Sequence, residues 1–260
     1  KGRKQMIDSH CHLTSSQLAH RVEEVIDSAR VAGVHTLISI ATDGADALAA
    51  RQIAEHHENV YFSSGIHPLY ADGEWQWEYV LEASKDPKCV AWGELGLDRH
   101  YSDPDFALQL KLLEEHLALI EGEKHDSRPI IVHCRKAVDD LLPIFKASSF
   151  EGSRFVFHCF TEGVDEMKQI LEFGASVSFT GVVTYKNATE VAAAAQLVPH
   201  DRIMVETDSP YLSPEPVRKE RPNEPKNVMY VASFLANLFG MPLSEFESIT
   251  EQNTTRFFGL

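Results

Sequence analysis

The stretch Met6-Ile7-Asp8-Ser9-His10-Cys11-His12 sets the organisation of the whole chain. Its two histidines stand two residues apart at the end of a short apolar run. Side chains alternate between the two faces of a β-strand, so a strand here would point both imidazoles the same way. Imidazole is a common metal ligand, and the pair therefore indicates half of a metal site.

Further candidate ligands stand at the ends of later apolar runs. They are Glu94, His133, His158 and Asp208. Besides the opening stretch, strands are predicted at residues 36–41, 60–64, 89–92, 130–132, 154–157, 175–179 and 203–205, each followed by a helical pattern. Strands that alternate with helices favour parallel pairing, and the 260-residue length suits one closed barrel. We therefore predict an α/β fold, a single (β/α)8 TIM barrel over residues 5–260 with the metal site at the C-terminal face of the strands.

Composition bounds the class of protein. Hydrophobic residues make up 43% of the chain and charged residues 24%, as in a globular protein with a large core. The formal net charge of −15 gives no general attraction to nucleic acid or anionic membranes, although bound divalent ions would add positive charge locally. No apolar run approaches the roughly 18 residues of a bilayer span, so we expect no membrane partner.

The cysteines bear on compartment and packing. The chain has four cysteines and no CxxC pair, which favours reduced thiols and a cytoplasmic protein. Cys11, Cys134 and Cys159 stand beside candidate histidines, and strand alternation predicts that they pack under the helices as small apolar groups. Residues 1–4 begin with Lys rather than Met, and we expect them to be an expression remnant or a truncated start.

Six candidate ligands are too many for one catalytic zinc, which usually takes three protein ligands and leaves a position for water. They suit two divalent ions about 3.5 to 4 Å apart with a bridging carboxylate. The expected division places His10, His12 and Asp208 on one ion, His133 and His158 on the other, and Glu94 between them. Glu206 shares the strand face of Asp208 and has two interpretations, an acid that supports or joins the ligands and a core carboxylate paired with a cation.

Several motifs taken together resemble the TatD family of metal-dependent hydrolases in the amidohydrolase superfamily. They are HCH at 10–12, GELGLD at 93–98, PIIVHCR at 129–135, HCFT at 158–161, SFTG at 178–181, ETDSPYL at 206–212 and RPNEP at 221–225. The resemblance covers nearly the whole chain and implies a (β/α)8 barrel, a pair of divalent metal ions and, for many members, deoxyribonuclease activity. The chain departs from the family pattern at Glu162, where glycine is usual, and at Arg99, where an aromatic residue is common. Both positions bear on substrate preference.

Ligand chemistry and resemblance differ on the metal. Four imidazoles favour zinc, manganese, iron or nickel over magnesium, which prefers oxygen ligands. Many members of the family are described as magnesium-dependent. The expected cofactor is therefore a pair of divalent ions, with magnesium, manganese and zinc all candidates.

The expected catalytic residues are Asp208 and Glu94, with Asp208 orienting the attacking water and taking its proton. Substrate contacts are expected from His67 and Arg135 at predicted strand ends, from Arg99 after the fourth strand, and from Arg221 in the loop after the eighth. The resemblance implies a nuclease of the 3'-5' exonuclease type acting on single-stranded DNA or on 3' ends, and we expect a monomer.

A different hydrolase remains the alternative, since the same metal pair could attack an ester or amide, as in an aminoacyl-tRNA deacylase. Deaminases of the superfamily need a histidine followed by paired acids after a later strand, and neither HCR at 133–135 nor HCF at 158–160 supplies them. A non-catalytic binding module would have lost some of the metal-binding residues, but each of the six positions here carries a histidine or an acidic residue.

Overall fold

The computed structural model describes residues 6–260, and the expectation for residues 1–4 lies outside them. Eight parallel strands form one sheet in chain order. They are β1 (Met6–Cys11), β2 (Val34–Ser39), β3 (Val60–Ser64), β4 (Cys89–Asp98), β5 (Ile130–Arg135), β6 (Phe155–Phe157), β7 (Ser176–Phe179) and β8 (Ile203–Val205). An isolated parallel bridge between Cys11 and Ser209 joins the segment after β8 to β1. This closure confirms the predicted barrel.

Helices connect the strands and pack against the barrel. They are α1 (Val22–Val31), α2 (Gly44–His56), α3 (Trp77–Ser84), α4 (Phe106–Gly122), α5 (Val138–Ala147), α6 (Val164–Phe173), α7 (Thr189–Ala195), α8 (Val228–Phe239) and α9 (Leu243–Phe258). In α1 the buried residues Val25, Ile26 and Ala29 recur at helical spacing. Helix α2 begins after Asp43, whose side chain accepts the backbone N–H of Asp46 at 2.8 Å. Within the described residues, none of these helices combines the length and hydropathy of a membrane span.

Strand β4 is longer than the sequence predicts, because it runs to Asp98 instead of ending at Trp92. Its register with β5 pairs Gly96 with His133. A Cβ on Gly96 would collide with the carbonyl oxygen of His133, and the φ of +150° at Gly96 is one that other residues rarely adopt. Glycine thus allows the close approach that holds the end of β4, including Glu94, against β5.

Two of the three cysteines beside histidines pack as predicted. Cys11 and Cys134 are buried in the main apolar cluster. The prediction is wrong for Cys159, which is half-buried with its Sγ 3.5 Å from Oγ1 of Thr180. Strand β6 ends at Phe157, so strand alternation no longer applies, and the φ of +46° at Cys159 turns the chain at the mouth of the barrel.

Candidate metal centre

The six predicted ligands converge at the C-terminal ends of the strands. His10 lies in β1, His12 directly follows it, Glu94 lies in β4, His133 lies in β5, and His158 and Asp208 follow β6 and β8. Three overlapping groups have ligand atoms within 4.8 Å of one another, namely His10, His12 and Asp208; His10, Glu94 and His158; and His67, Glu94 and His133. The convergence brings in a residue outside the predicted ligand set, His67. How two ions divide these groups stays a prediction.

Glu94 is the centre of the cluster, with ring nitrogens around both carboxylate oxygens. Its Oε1 lies 2.6 Å from Nε2 of His158, 2.8 Å from Nδ1 of His133 and 3.3 Å from Nε2 of His67. Its Oε2 lies 3.3 Å from Nε2 of His10. Burial disfavours the charged form of Glu94, but the imidazoles around it, with His158 the strongest, hold its pKa well below its usual range. A buried carboxylate that stays ionised is suited to bridge two cations.

Asp208 occupies the turn after β8, where its φ is +53°. Its backbone N–H donates to the carbonyl of His10 at 2.8 Å, which ties this turn to β1. Its Oδ1 lies 3.1 Å from Nε2 of His12. Burial opposes both charges, yet the hydrogen bond between the two side chains lowers the pKa of Asp208 and raises the pKa of His12 to about 9. A divalent ion bound to this pair would displace the His12 proton.

Two of the candidate rings donate to oxygen atoms behind them. Nδ1 of His12 donates to the carbonyl of Ile40 at 2.9 Å, and Nε2 of His133 donates to Oδ2 of Asp98 at 2.9 Å. In the neutral form that a metal requires, each of these rings has one N–H, so this donation leaves the other nitrogen with a lone pair facing the cluster. Such outer partners set the tautomer and orientation of ligating histidines.

His10 supplies the test of whether these residues fit a metal. Both of its ring nitrogens are buried and make no well-directed hydrogen bond, although Nε2 lies 3.3 Å from Oε2 of Glu94. Its ring stacks on that of His158 with 3.8 Å between centroids. Burial lowers the pKa of His10. An unsatisfied buried polar atom costs about 1–3 kcal/mol, and a cation would satisfy a lone pair of this ring. The residues therefore fit divalent ions, and their imidazoles suit metals such as zinc, while their carboxylates also suit manganese.

Glu206 lies behind His158. Its Oε1 accepts the backbone N–H of Cys159 at 2.7 Å and faces Nδ1 of His158 at 3.2 Å, while its Oε2 accepts the hydroxyl of Ser178 at 2.5 Å. Of its two interpretations, this geometry favours the acid that supports a ligand. Sequence reasoning gave no role to Asp98, although it shares the strand parity of Glu94, and that spacing was the available signal.

The predicted substrate contacts differ in their surroundings. They are His67, Arg135, Arg99 and Arg221. Arg135 is half-buried with its guanidinium 5.4 Å from the ring centre of Tyr101, and Arg221 is exposed in the loop after β8. Arg99 donates from Nε and Nη2 to the carboxylate of Asp140 at 2.7 and 2.6 Å, so its guanidinium is already engaged. Their contacts with a substrate stay predictions.

Exposed tyrosines follow three of the strands that carry the cluster or its neighbours. Tyr70 follows β3, Tyr101 follows β4 and Tyr211 follows β8, and each is about half exposed. The Tyr211 ring stands edge-on to His12 with 6.2 Å between centroids. Aromatic faces therefore stand beside the candidate metal ligands.

Comparisons with known proteins identify the family of this chain. A family model described as TatD related DNase matches residues 7–259. The metal-dependent hydrolase YabD of Bacillus subtilis (strain 168) is 34% identical over 255 residues, which cover 97% of this chain and 98% of that protein. The 3'-5' ssDNA/RNA exonuclease TatD of Klebsiella pneumoniae (strain 342) is 31% identical over 271 residues, with 98% of both chains covered.

A solved structure gives the same result. The crystal structure of YJJV, a TatD homolog from Escherichia coli K12, superposes with a TM-score of 0.90 at 27% identity and covers 98% of both chains. The family match and the structural match both include the residues that form the barrel and the cluster around Glu94. The chain therefore belongs to the TatD-related DNase family of metal-dependent hydrolases, in the amidohydrolase superfamily.

Proposed function

We propose that this protein is a deoxyribonuclease of the 3'-5' exonuclease type, which removes nucleotides from single-stranded DNA with two divalent ions as cofactors. The observation that carries the proposal is the convergence of imidazoles and carboxylates around Glu94 at the mouth of the barrel. The Klebsiella relative, named a 3'-5' ssDNA/RNA exonuclease, supports a nucleic acid substrate.

One ion would be held by His10, His12 and Asp208, the other by His133 and His158, with Glu94 between them. The first set is one of the candidate groups, and both His133 and His158 contact Oε1 of Glu94, at 2.8 and 2.6 Å. When bound, a divalent pair supplies Lewis-acid polarisation of a phosphoryl oxygen and makes water acidic enough to attack at neutral pH. The ions would also add about four positive charges at the site, which would help a chain with a net charge of −15 to hold DNA.

The two acidic residues would have different tasks. The side chain of Asp208 is 14% exposed, whereas that of Glu94 is 2% exposed. Asp208 can therefore reach a water at the mouth, and its lowered pKa keeps it ionised to accept the proton of that water. Glu94 is enclosed by imidazoles, so its task is to keep the two sets of metal ligands at a fixed distance from each other.

Side chains at the mouth suit a single strand. The exposed faces of Tyr70 and Tyr211 can stack on unpaired bases, which duplex DNA keeps inside its helix. Arg135, the last residue of β5, and Arg221, in the loop after β8, would contact phosphates of the strand. Trp75 and Trp77, which also follow β3, pack against the apolar core instead.

End-labelled oligonucleotides test this proposal. With manganese or zinc, a 5'-labelled single strand should shorten stepwise, while a 3'-labelled strand should release labelled mononucleotide at once. Chelator and Asp208→Asn should each abolish shortening, because both remove part of the site. Asp165→Asn changes an exposed carboxylate on α6 and should retain the activity of the unaltered protein.

Other outcomes would select other functions. Shortening from the 5' end would refute the proposed polarity, and equal cleavage of a blunt duplex would refute the single-strand preference. Intact DNA together with metal-dependent hydrolysis of p-nitrophenyl acetate or aminoacyl-tRNA would replace the nuclease by an ester hydrolase.

A further inference from the structure

His67 stands where two roles compete. Its Nε2 lies 3.3 Å from Oε1 of Glu94 and 3.1 Å from Nδ1 of His133. These three residues meet the distance requirement of a metal-binding group, so proximity alone would make His67 a ligand of a further cation. The position of the ring proton decides between a ligand and a hydrogen-bond donor, because only an unprotonated nitrogen can bind a metal.

The backbone determines where that proton is. The N–H of Leu69 donates to Nδ1 of His67 at 3.0 Å, since His67 caps the short 3-10 turn Pro68–Tyr70. A nitrogen that accepts this bond carries no proton, and an imidazole keeps at least one N–H. The proton of His67 is therefore on Nε2, the atom that faces Glu94 and His133.

His133 has the opposite arrangement. Its Nε2 donates to Asp98 at 2.9 Å, so the nitrogen that a neutral His133 offers to a cation is Nδ1. The N–H of His67 faces that Nδ1 across 3.1 Å and Oε1 of Glu94 across 3.3 Å. Once Nδ1 of His133 and the Glu94 carboxylate bind cations, the N–H of His67 needs another acceptor. The side chain of His67 is 12% exposed, so an oxygen of a bound substrate can reach it from the mouth.

We propose that His67 is a catalytic residue that donates its Nε2–H to a phosphoryl oxygen of the substrate and is not a metal ligand. The assignment rests on the proposed function for its acceptor, the phosphoryl oxygen. A fixed donor aimed at the position where negative charge develops stabilises the transition state more than the ground state. Asp98 and the Leu69 N–H thus give two adjacent histidines different tasks.

Metal content and kinetics test the two halves of the proposal separately. The unaltered protein, His67→Ala, His67→Gln and His133→Ala are loaded with manganese, desalted and analysed by mass spectrometry for metal per chain. His67→Ala and His67→Gln should keep the metal content of the unaltered protein, whereas His133→Ala should lose metal.

On bis(p-nitrophenyl) phosphate, His67→Ala should lower kcat about 10²- to 10³-fold with KM little changed, as for loss of one oxyanion donor. His67→Gln, which retains an amide N–H, should recover part of that loss.

Two results would overturn the assignment. Loss of a metal equivalent in both His67 variants would make His67 a ligand, and an unchanged kcat in His67→Ala would remove it from the catalytic residues. Absence of phosphodiesterase activity in the unaltered protein would instead refute the proposed function, and with it the phosphoryl acceptor. In that case the metal content of the His67 variants still decides between ligand and donor.

Discussion

Glu206 and His158 form a buried pair in which Nδ1 of the ring lies 3.2 Å from Oε1 of the carboxylate. The carboxylate fixes the ring so that Nε2 faces Glu94 at 2.6 Å. We expect Glu206→Gln to weaken divalent metal binding about 10- to 100-fold, because it removes the charge that orients the ring and increases its basicity. Competition with a chromophoric chelator measures the affinity.

Glu190→Gln is the matched control for this substitution, since Glu190 is exposed on α7. Its metal affinity should equal that of the unaltered protein. Equal affinities in Glu206→Gln and the unaltered protein would show that the buried carboxylate does not act through His158.

Gly96→Ala tests the close contact between β4 and β5. The added methyl group would collide with the carbonyl of His133 at a φ of +150°. Strained backbone costs about 1–3 kcal/mol, and overpacking costs about as much again. We expect the free energy of unfolding, measured by urea denaturation, to fall by about 3 kcal/mol or more. Gly122→Ala should not lower it, because a Cβ at the end of α4 meets nothing within 4 Å. If Gly96→Ala unfolded at the same urea concentration as the unaltered protein, the pairing described for β4 and β5 would be contradicted.

Tyr211 tests how the mouth holds single strands. Its ring is 52% exposed and stands beside His12. Stacking on a base contributes about 1–3 kcal/mol, so Tyr211→Ala should raise KM for a single-stranded oligonucleotide about 5- to 150-fold. Tyr211→Phe retains the ring and should stay near the parental KM. Tyr230→Ala, on the outer face of α8, should leave KM unchanged. If Tyr211→Ala had no effect on KM, this tyrosine would not contact bases.

His116 should make stability fall in acid. Its ring is buried in α4 without a hydrogen-bond partner, and burial lowers its pKa to about 3. The unfolded chain takes up the proton near pH 6.5 while the folded chain does not, so the free energy of unfolding decreases as pH falls from about 6.5 towards 3. Between pH 7.5 and pH 5, protonation of His116 in the unfolded chain should lower the free energy of unfolding by about 2 kcal/mol.

Urea denaturation of His116→Leu at both pH values measures that contribution. The variant should lose about 2 kcal/mol less than the unaltered protein over this interval. His20→Gln, an exposed histidine, should show the parental loss. If His116→Leu also lost as much as the unaltered protein, the ring would be protonated inside the fold.

Much of the site could be predicted because strand ends share one face of a parallel barrel. From the sequence alone, that rule places His10 and Asp208, nearly two hundred residues apart, in the cluster that the structure shows. It failed at β4, where Glu94 interrupts the apolar run although the strand continues to Asp98. It also failed at Cys159, which follows the end of its strand.

Local patterns determined the barrel and the residue types at its mouth, because alternation and helical periodicity are properties of neighbouring residues. Only the tertiary structure decided which ring nitrogen carries each proton. The Leu69 N–H decides this for His67, and the Asp98 carboxylate decides which nitrogen a neutral His133 offers to a metal. Asp98 reaches His133 from another strand, and side-chain orientations of this kind exist only after the chain has folded, so no sequence pattern records them.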